Sequence, residues 1–438
     1  MTFLIISCCI VALVILITWA KLNPFLAFLL MSTVTGLLLG IQLQSIMQSV
    51  TKGIGDTLGS LVIVIVLGAM LGKLVATSGA AQQIATVFQN IFGTKYLIWA
   101  MSLTGLIVGI PLYYNVGFVI LFPIIFSVAS QNKLSMVYIG LPTLASLSVM
   151  HGFLPPHPSP MALLIQFKAN MATTFFYGLC IAIPAIIVAG PFFSRMLKTM
   201  QSGETKINLA YVNNTDQLPS VANSFLSSLL PVIIIAVVAL TTKVQHENSS
   251  LIQILKFLEE PNVIMSISII VATYTLGIRR GKSIFEIMHI YSEAVKDIAM
   301  ILLIIGSAGI LKQVFIDSGA SNEIAVALSS WPLPPLLLAW VVTAILRLCL
   351  GSATIAGLTA AGILYPLLIQ TSVNPNLMVL SIGAGSLFFS HVNDTAFWMF
   401  KEYFGLSMKD TFRSWTFMET IVSVIGLVGV LLLNEIKI

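Results

Sequence analysis

The chain begins with an apolar stretch from residue 3 to 19, and comparable stretches recur at 24 to 42, 58 to 72, 174 to 194, 224 to 241, 262 to 278 and 420 to 434. A helix needs roughly 20 apolar residues to cross about 30 Å of hydrocarbon, so each stretch predicts a membrane-spanning helix or most of one. Two other regions are too long and too uncharged for single crossings. Residues 96 to 132 and 134 to 167 hold no Asp, Glu, Lys or Arg, and 348 to 393 form one uncharged run of 46. Helix breakers sit inside them: Gly109, Pro111, Gly117 and Pro123 in the first region, Gly351, Gly357, Gly362 and Pro366 in the second. An interior proline costs a helix about 3 kcal/mol and frees a carbonyl that hydrocarbon cannot satisfy. The pattern therefore predicts broken helices or re-entrant hairpins whose breaks face protein or a water-filled cavity. "LPPHPSP" (Leu154 to Pro160) is expected to be non-helical from Pro155 to Pro160, and "SHVNDTAFW" (Ser390 to Trp398) occupies the equivalent place later in the chain.

Composition turns these elements into a class. Hydrophobic residues make up 58% of the chain and charged residues 8%, against about 25% charged in an ordinary soluble protein. With a mean hydropathy of +1.01 the chain reads as an all-α polytopic membrane protein, which excludes a soluble enzyme. The first segment has no basic leader and no small-residue cleavage site, so it reads as a retained helix. Cys8, Cys9, Cys180 and Cys349 show no C-x-x-C spacing and are expected to be inert packing residues. Basic clusters at Lys21, at Arg195 with Lys198 and Lys206, at Arg279 to Lys282, and at Lys409 with Arg413 lie beside hydrophobic segments. If all are cytoplasmic, both termini lie outside.

The chain also repeats. "SGAAQQIA" begins at Ser78 and "SGASNEIA" at Ser318, and 318 − 78 = 240; "SLSVMH" begins at Ser146 and "SLFFSH" at Ser386, again 240 apart. Asp56 and Asp297, Lys73 and Lys312, and Pro123 and Pro366 follow at 241, 239 and 243. The expected organisation is a first transmembrane repeat at 1–200, a cytoplasmic linker at 201–223 and a second repeat at 224–438. With the basic clusters inside, the halves have inverted topology, an arrangement that puts a substrate site near the midplane and supports alternating access.

The motifs "GAMLGKLVATSGAAQQIA" (68 to 85), "VGFVILFP" (116 to 123), "LSVMHGFLPPHPSP" (147 to 160), "LRLCLGSATIAGLTAAGI" (346 to 363), "GAGSLFFSHVND" (383 to 394) and "KEYF" (401 to 404) occur in order along the chain. In them the sequence resembles the gluconate permease family of bacterial sugar-acid:proton symporters. The resemblance covers essentially the whole chain. It implies uptake of gluconate or a related hexonate with protons across the bacterial cytoplasmic membrane, through a fold similar to the ion transporter superfamily. Members of that family commonly carry a glutamate just before "VGF", whereas this chain has Asn115, an amide that keeps the hydrogen-bonding capacity but cannot titrate.

Candidate chemistry follows from the few polar residues in apolar sequence. Asp56 is the only Asp or Glu before Glu204, while Asp394 and Glu419 lie beside or within apolar sequence. An ionisable group in the membrane is functional by default, and Asp394 is the first candidate for proton coupling, with capping of a helix starting at Thr395 as its structural alternative. His151, His157 and His391 fall inside the motifs; His151 and His391 join the coupling candidates, and His151 and His157 those for substrate binding. A structural hydrogen-bonding role is the alternative for each.

A hexonate, as the resemblance implies it, brings one negative charge and many hydroxyls. Arg347 offers a bidentate carboxylate partner or an interface anchor, and the amides of Gly351 and Ser352 offer a helix-start alternative. Asn115, Thr354, Ser390 and Asn393 supply neutral hydrogen bonds. No metal or cofactor and no nucleic-acid partner is expected. The partners are an anionic sugar acid, protons and the lipid bilayer, and the oligomeric state stays open, a homo-oligomer included. Two other readings remain: a D-serine-type permease of the same family, and a membrane-embedded enzyme using His151 and His157.

Overall fold

The computed structural model describes residues 2–200, 202–203, 218–242, 254, 257–258, 260–320, 323, 326, 331–392 and 394–436. Among these residues every regular element is helical and there is no strand. The helices before residue 203 are α1 (Thr2–Thr18), α2 (Pro24–Leu38), α3 (Leu43–Thr77), α4 (Ala80–Phe92), α5 (Leu97–Gly109), α6 (Tyr114–Gln131), α7 (Met136–Phe153), α8 (Pro158–Gln166) and α9 (Met171–Met196). Those after residue 217 are α10 (Val221–Thr242), α11 (Pro261–Arg280), α12 (Ile284–Asp317), α13 (Pro335–Leu350), α14 (Ala353–Gln370), α15 (Pro375–Ser386), α16 (Thr395–Tyr403) and α17 (Met408–Ile436). Eight are long and apolar enough to cross a membrane, or up to ten if each of two bent pairs counts as one span. The chain is thus a multi-pass helical membrane protein.

The predicted breaks fall partly where expected. α5 stops at Gly109, four residues intervene, and α6 starts at Tyr114; α13 stops at Leu350, and only Gly351 and Ser352 precede α14. Gly351 makes that turn possible with a left-handed φ of 75°. Gly117, Pro123, Gly357, Gly362 and Pro366, expected among the breakers, lie inside α6 and α14. A proline removes one N–H, and a helix packed on its neighbours bends around that single loss without ending. "LPPHPSP" is non-helical for a shorter stretch than expected. α8 begins at Pro158, because the first turn of a helix has no intrahelical use for the amides that Pro158 and Pro160 lack. A sharper break separates α4 from the helical stretch Thr94–Gly109, which turn by 109°.

α3 and α12, at 35 and 34 residues, are the longest helices and cross each other in close contact. Gly53 and Gly309 permit the approach: a Cβ on Gly309 would lie 2.0 Å from Thr57 Oγ1 and 2.5 Å from the Gly53 carbonyl. α7 is enclosed almost entirely, with Leu144, Leu147 and Met150 at 0% exposure. The outside inverts the rule for soluble proteins, since Val11, Ile183, Ile270 and Leu432 are exposed, as a surface in contact with lipid tails requires. Of the cysteines only Cys9 is packed; Cys8, Cys180 and Cys349 lie at the surface, against the packing role expected for all four.

Gly309→Ala should lower the thermal midpoint of the detergent-purified protein, because the new methyl meets backbone, and overpacking of this kind costs about 1–3 kcal/mol. Gly362→Ala, where a Cβ meets nothing within 4 Å, should match or exceed the parent. Equal midpoints for the two variants would show that the α3–α12 crossing is not tight.

Candidate functional site

A cavity of about 870 Å³ opens where the helix breaks converge. Its wall takes Lys73 and Thr77 from the end of α3, Tyr114 and Asn115 from the start of α6, Ser148 and His151 from the end of α7, and Asp297 and Ile301 from α12. Gly351 to Ile355 at the α13–α14 turn, Arg347 before it, Asp394 and Thr395 at the start of α16, and Trp415 and Glu419 of α17 complete it. Residues far apart in sequence thus share one chamber.

Two helix starts meet there. Asn115 is the second residue of α6 and Thr354 the second of α14, and both line the cavity. The first amides of a helix have no carbonyl of their own to donate to and carry the positive end of the macrodipole, which suits an anion. At α14 the Ser352 side chain caps one of them by accepting from the Ile355 amide at 3.4 Å.

Arg347 is buried at 3% exposure, which rules out the interface-anchor alternative. Its guanidinium donates to Asp394 Oδ2 and, through the other terminal nitrogen, to the Gly351 carbonyl; Nε has no partner. Asp394 is also committed. Oδ2 accepts from the Ser390 hydroxyl as well, and Oδ1 accepts from the Ala396 amide at 3.0 Å, so the capping alternative is realised together with an ion pair. Ser390 does not line the cavity: it accepts from Trp415 Nε1 at 2.8 Å, and its carbonyl accepts from Thr416 Oγ1 at 2.5 Å.

The histidines divide. His151 lines the cavity and its Nδ1 is buried without a partner. His157 lies behind it, the rings 5.6 Å apart, with Nε2 at 2.9 Å from the Gly109 carbonyl. His391 Nε2 is 3.0 Å from the Leu348 carbonyl. His157 and His391 therefore tie chain breaks to helix ends and stand outside the cavity wall. Asn393 lies outside the described residues.

The sequence reading missed three features. Glu419 is 1% exposed, lines the cavity and has neither carboxylate oxygen in a hydrogen bond of good geometry, although the Ser148 hydroxyl lies within reach. Its signal, an acid immediately before the apolar run 420 to 434, was visible and was passed over in favour of Asp394. Lys73 pairs with Asp297 at 2.7 Å on the cavity wall. Tyr113 and Tyr114 also face the chamber, Tyr113 Oη donating to the Ile65 carbonyl at 2.6 Å. A π turn at Phe412–Thr416 sets Trp415 and then Glu419 on that side of α17.

A chamber lined by broken helices within a multi-pass helical protein is the architecture a membrane transporter requires. Residues 1–436 match the family described as GntP family permease. The chain is 42% identical over 437 residues to the high-affinity gluconate transporter of Escherichia coli K12, and 42% identical over 437 residues to the Gnt-II system L-idonate transporter of the same organism, with 100% of each chain covered in both cases. It belongs to the GntP permease family, a family of transporters and not of enzymes. Its fold is similar to that of the Alcanivorax borkumensis YdaH transporter, whose crystal structure is described as revealing an unusual topology. The TM-score is 0.69 at 15% identity, over 94% of this chain and 98% of that one.

Removing one partner of a buried ion pair strands the other, at about 3–5 kcal/mol. Arg347→Gln should therefore lower the thermal midpoint, and Arg347→Gln combined with Asp394→Asn should recover most of the loss, measured by thermal unfolding of purified protein. A double variant no more stable than the single would separate the two residues.

Proposed function

We propose that this protein is a secondary active transporter that imports gluconate or a closely related sugar acid by proton symport across the cytoplasmic membrane of a bacterium. The observation that carries the reading is the convergence of the α6 and α14 helix starts with Arg347 on one chamber. Its volume of about 870 Å³ lies within the few-hundred to thousand Å³ typical of small-molecule sites. The substrate carboxylate is placed at the helix starts and the unpartnered Nε edge of Arg347. Asn115, Thr354 and Ser148 serve the hydroxyls, and His151 adds a further hydrogen bond. Among relatives, gluconate and L-idonate transporters stand at the same identity, so the reading extends to hexonates as a class.

Alternating access rests on the two inverted repeats, 1–200 and 224–438, joined by a cytoplasmic linker at 201–223. Helix bounds support the pairing: Leu43–Thr77 with Ile284–Asp317, Tyr114–Gln131 with Ala353–Gln370, and Pro158–Gln166 with Thr395–Tyr403. Contacts pair likewise. Lys73 pairs with Asp297, and Lys312, the counterpart of Lys73, lies within electrostatic reach of Asp56, the counterpart of Asp297.

An amino-acid substrate of the D-serine type would bring an ammonium group that needs a free carboxylate. Asp394 is not free, which leaves Glu419 as its partner.

Radiolabelled gluconate should enter vesicles carrying the protein and be recovered chemically unchanged. Excess hexonates should suppress that entry strongly, while hexuronates and D-amino acids should not; block by D-serine alone would favour the amino-acid reading. Single cysteines at Ser202 and near residue 436, in a background without the native cysteines, should label from opposite faces of the membrane. Labelling from the same face would remove the inverted-repeat reading.

A further inference from the structure

The cavity wall carries five charged or acidic groups, and four of them are matched. Arg347 is paired with Asp394, and Lys73 with Asp297. Glu419 is left over: it is 1% exposed, and its oxygens lack a hydrogen bond of good geometry. Burying an unpaired carboxylate is costly, and a proton removes that cost. We propose that Glu419 is the residue that carries the coupled proton, and that it does so by competing electrostatically with the substrate carboxylate for one chamber. This rests on the symport reading and moves the coupling role away from Asp394, whose oxygens are occupied by Arg347, Ser390 and the Ala396 amide.

The surroundings of Glu419 fit a carrier. α6 presents Tyr114, α7 presents Ser148 and His151, α13 presents Arg347, and Asp394 comes from the break before α16. α15, packed against α17, has no ionisable side chain. Arg195 of α9 lies over the Phe192 ring at 5.5 Å and is not part of the cavity wall, nor are the other charged residues of α17, Lys409, Asp410, Arg413 and Glu435. The Trp415 ring, one turn before Glu419 on α17, stands beside Tyr114 at 5.7 Å and Phe400 at 5.4 Å and adds aromatic surface to the chamber wall.

With Glu419 ionised, the chamber has a net negative charge before any substrate arrives, and a hexonate anion is repelled. When a water-borne proton forms an O–H bond on one carboxylate oxygen, the chamber becomes neutral and the helix starts and Arg347 can hold the anion. Substrate and proton then cross as an electroneutral load. On the far side the anion leaves first, and the O–H bond breaks to water. Linkage is reciprocal: if protonation strengthens anion binding, anion binding must draw in a proton. The sign follows. Affinity is highest when Glu419 is protonated, at low pH, and falls as pH rises.

The test uses the purified full chain, with gluconate as probe. In detergent and weak buffer, the parent should take up close to one proton per gluconate bound, seen with a pH indicator, and Glu419→Gln should take up none. In proteoliposomes, an imposed gradient of about one pH unit should drive about tenfold accumulation by the parent for one proton per cycle. Glu419→Gln should reach a ratio of about one, with gluconate exchange that no longer responds to pH. Accumulation by Glu419→Gln equal to the parent's would overturn the proposal, as would gluconate-linked proton uptake that persists in it. If Glu419→Gln neither exchanges nor accumulates, Glu419→Asp decides: restored accumulation with a shifted pH profile supports a carrier, and its absence overturns the proposal. A parent that exchanges gluconate but ignores the proton gradient would remove the symport reading itself, whereas a proton-driven parent with a proton-driven Glu419→Gln would remove Glu419 alone.

Discussion

The buried contact between Arg347 and Asp394 organises the centre of this protein. Asp394 ends one broken segment and begins α16, while Arg347 sits one turn before the Gly351 break and also holds the Gly351 carbonyl. One guanidinium thus fastens two interruptions that would otherwise expose backbone polar groups in hydrocarbon. A lysine would supply the charge without the planar fork that reaches a carboxylate and a carbonyl at once. Trp415 and Thr416 extend the fastening to α17 through Ser390.

Much of the fold was legible because the constraint that produces it is simple. Uncharged stretches must be helices in lipid, and the apolar runs at 24 to 42, 174 to 194 and 420 to 434 lie on α2, α9 and α17. Breaks were harder to place, since Gly and Pro mark where a helix can yield, while packing decides where it does. Gly351 ends a helix, yet Gly357 and Pro366, further on, are absorbed into α14.

The candidate site was half legible for a related reason. The family motifs and the scarcity of polar residues in apolar sequence pointed to Asn115, His151, Arg347, Gly351, Ser352, Thr354 and Asp394, all of which reach the cavity wall. It could not say which polar groups would use up one another. Arg347 and Asp394 are 47 residues apart, and nothing local in either stretch announces that they meet. Once they do, the acid that looked most reactive is satisfied, and the inconspicuous Glu419 becomes the exception. Lys73 and Asp297, 224 residues apart, make the same point from the opposite wall.

The two ion pairs on the chamber differ in their access to water. Lys73 and Asp297 keep 27% and 40% of their side-chain surface exposed, against 3% and 12% for Arg347 and Asp394. Dissolved ions screen charges over about 8 Å at physiological ionic strength and about 3 Å at 1 M, but act weakly on pairs they cannot approach. The link between α3 and α12 is therefore a clasp that the electrolyte can loosen, whereas the link between the broken segments is not. A salt series therefore acts on the contact between the two long helices and leaves the corner built on Arg347 and Asp394 intact.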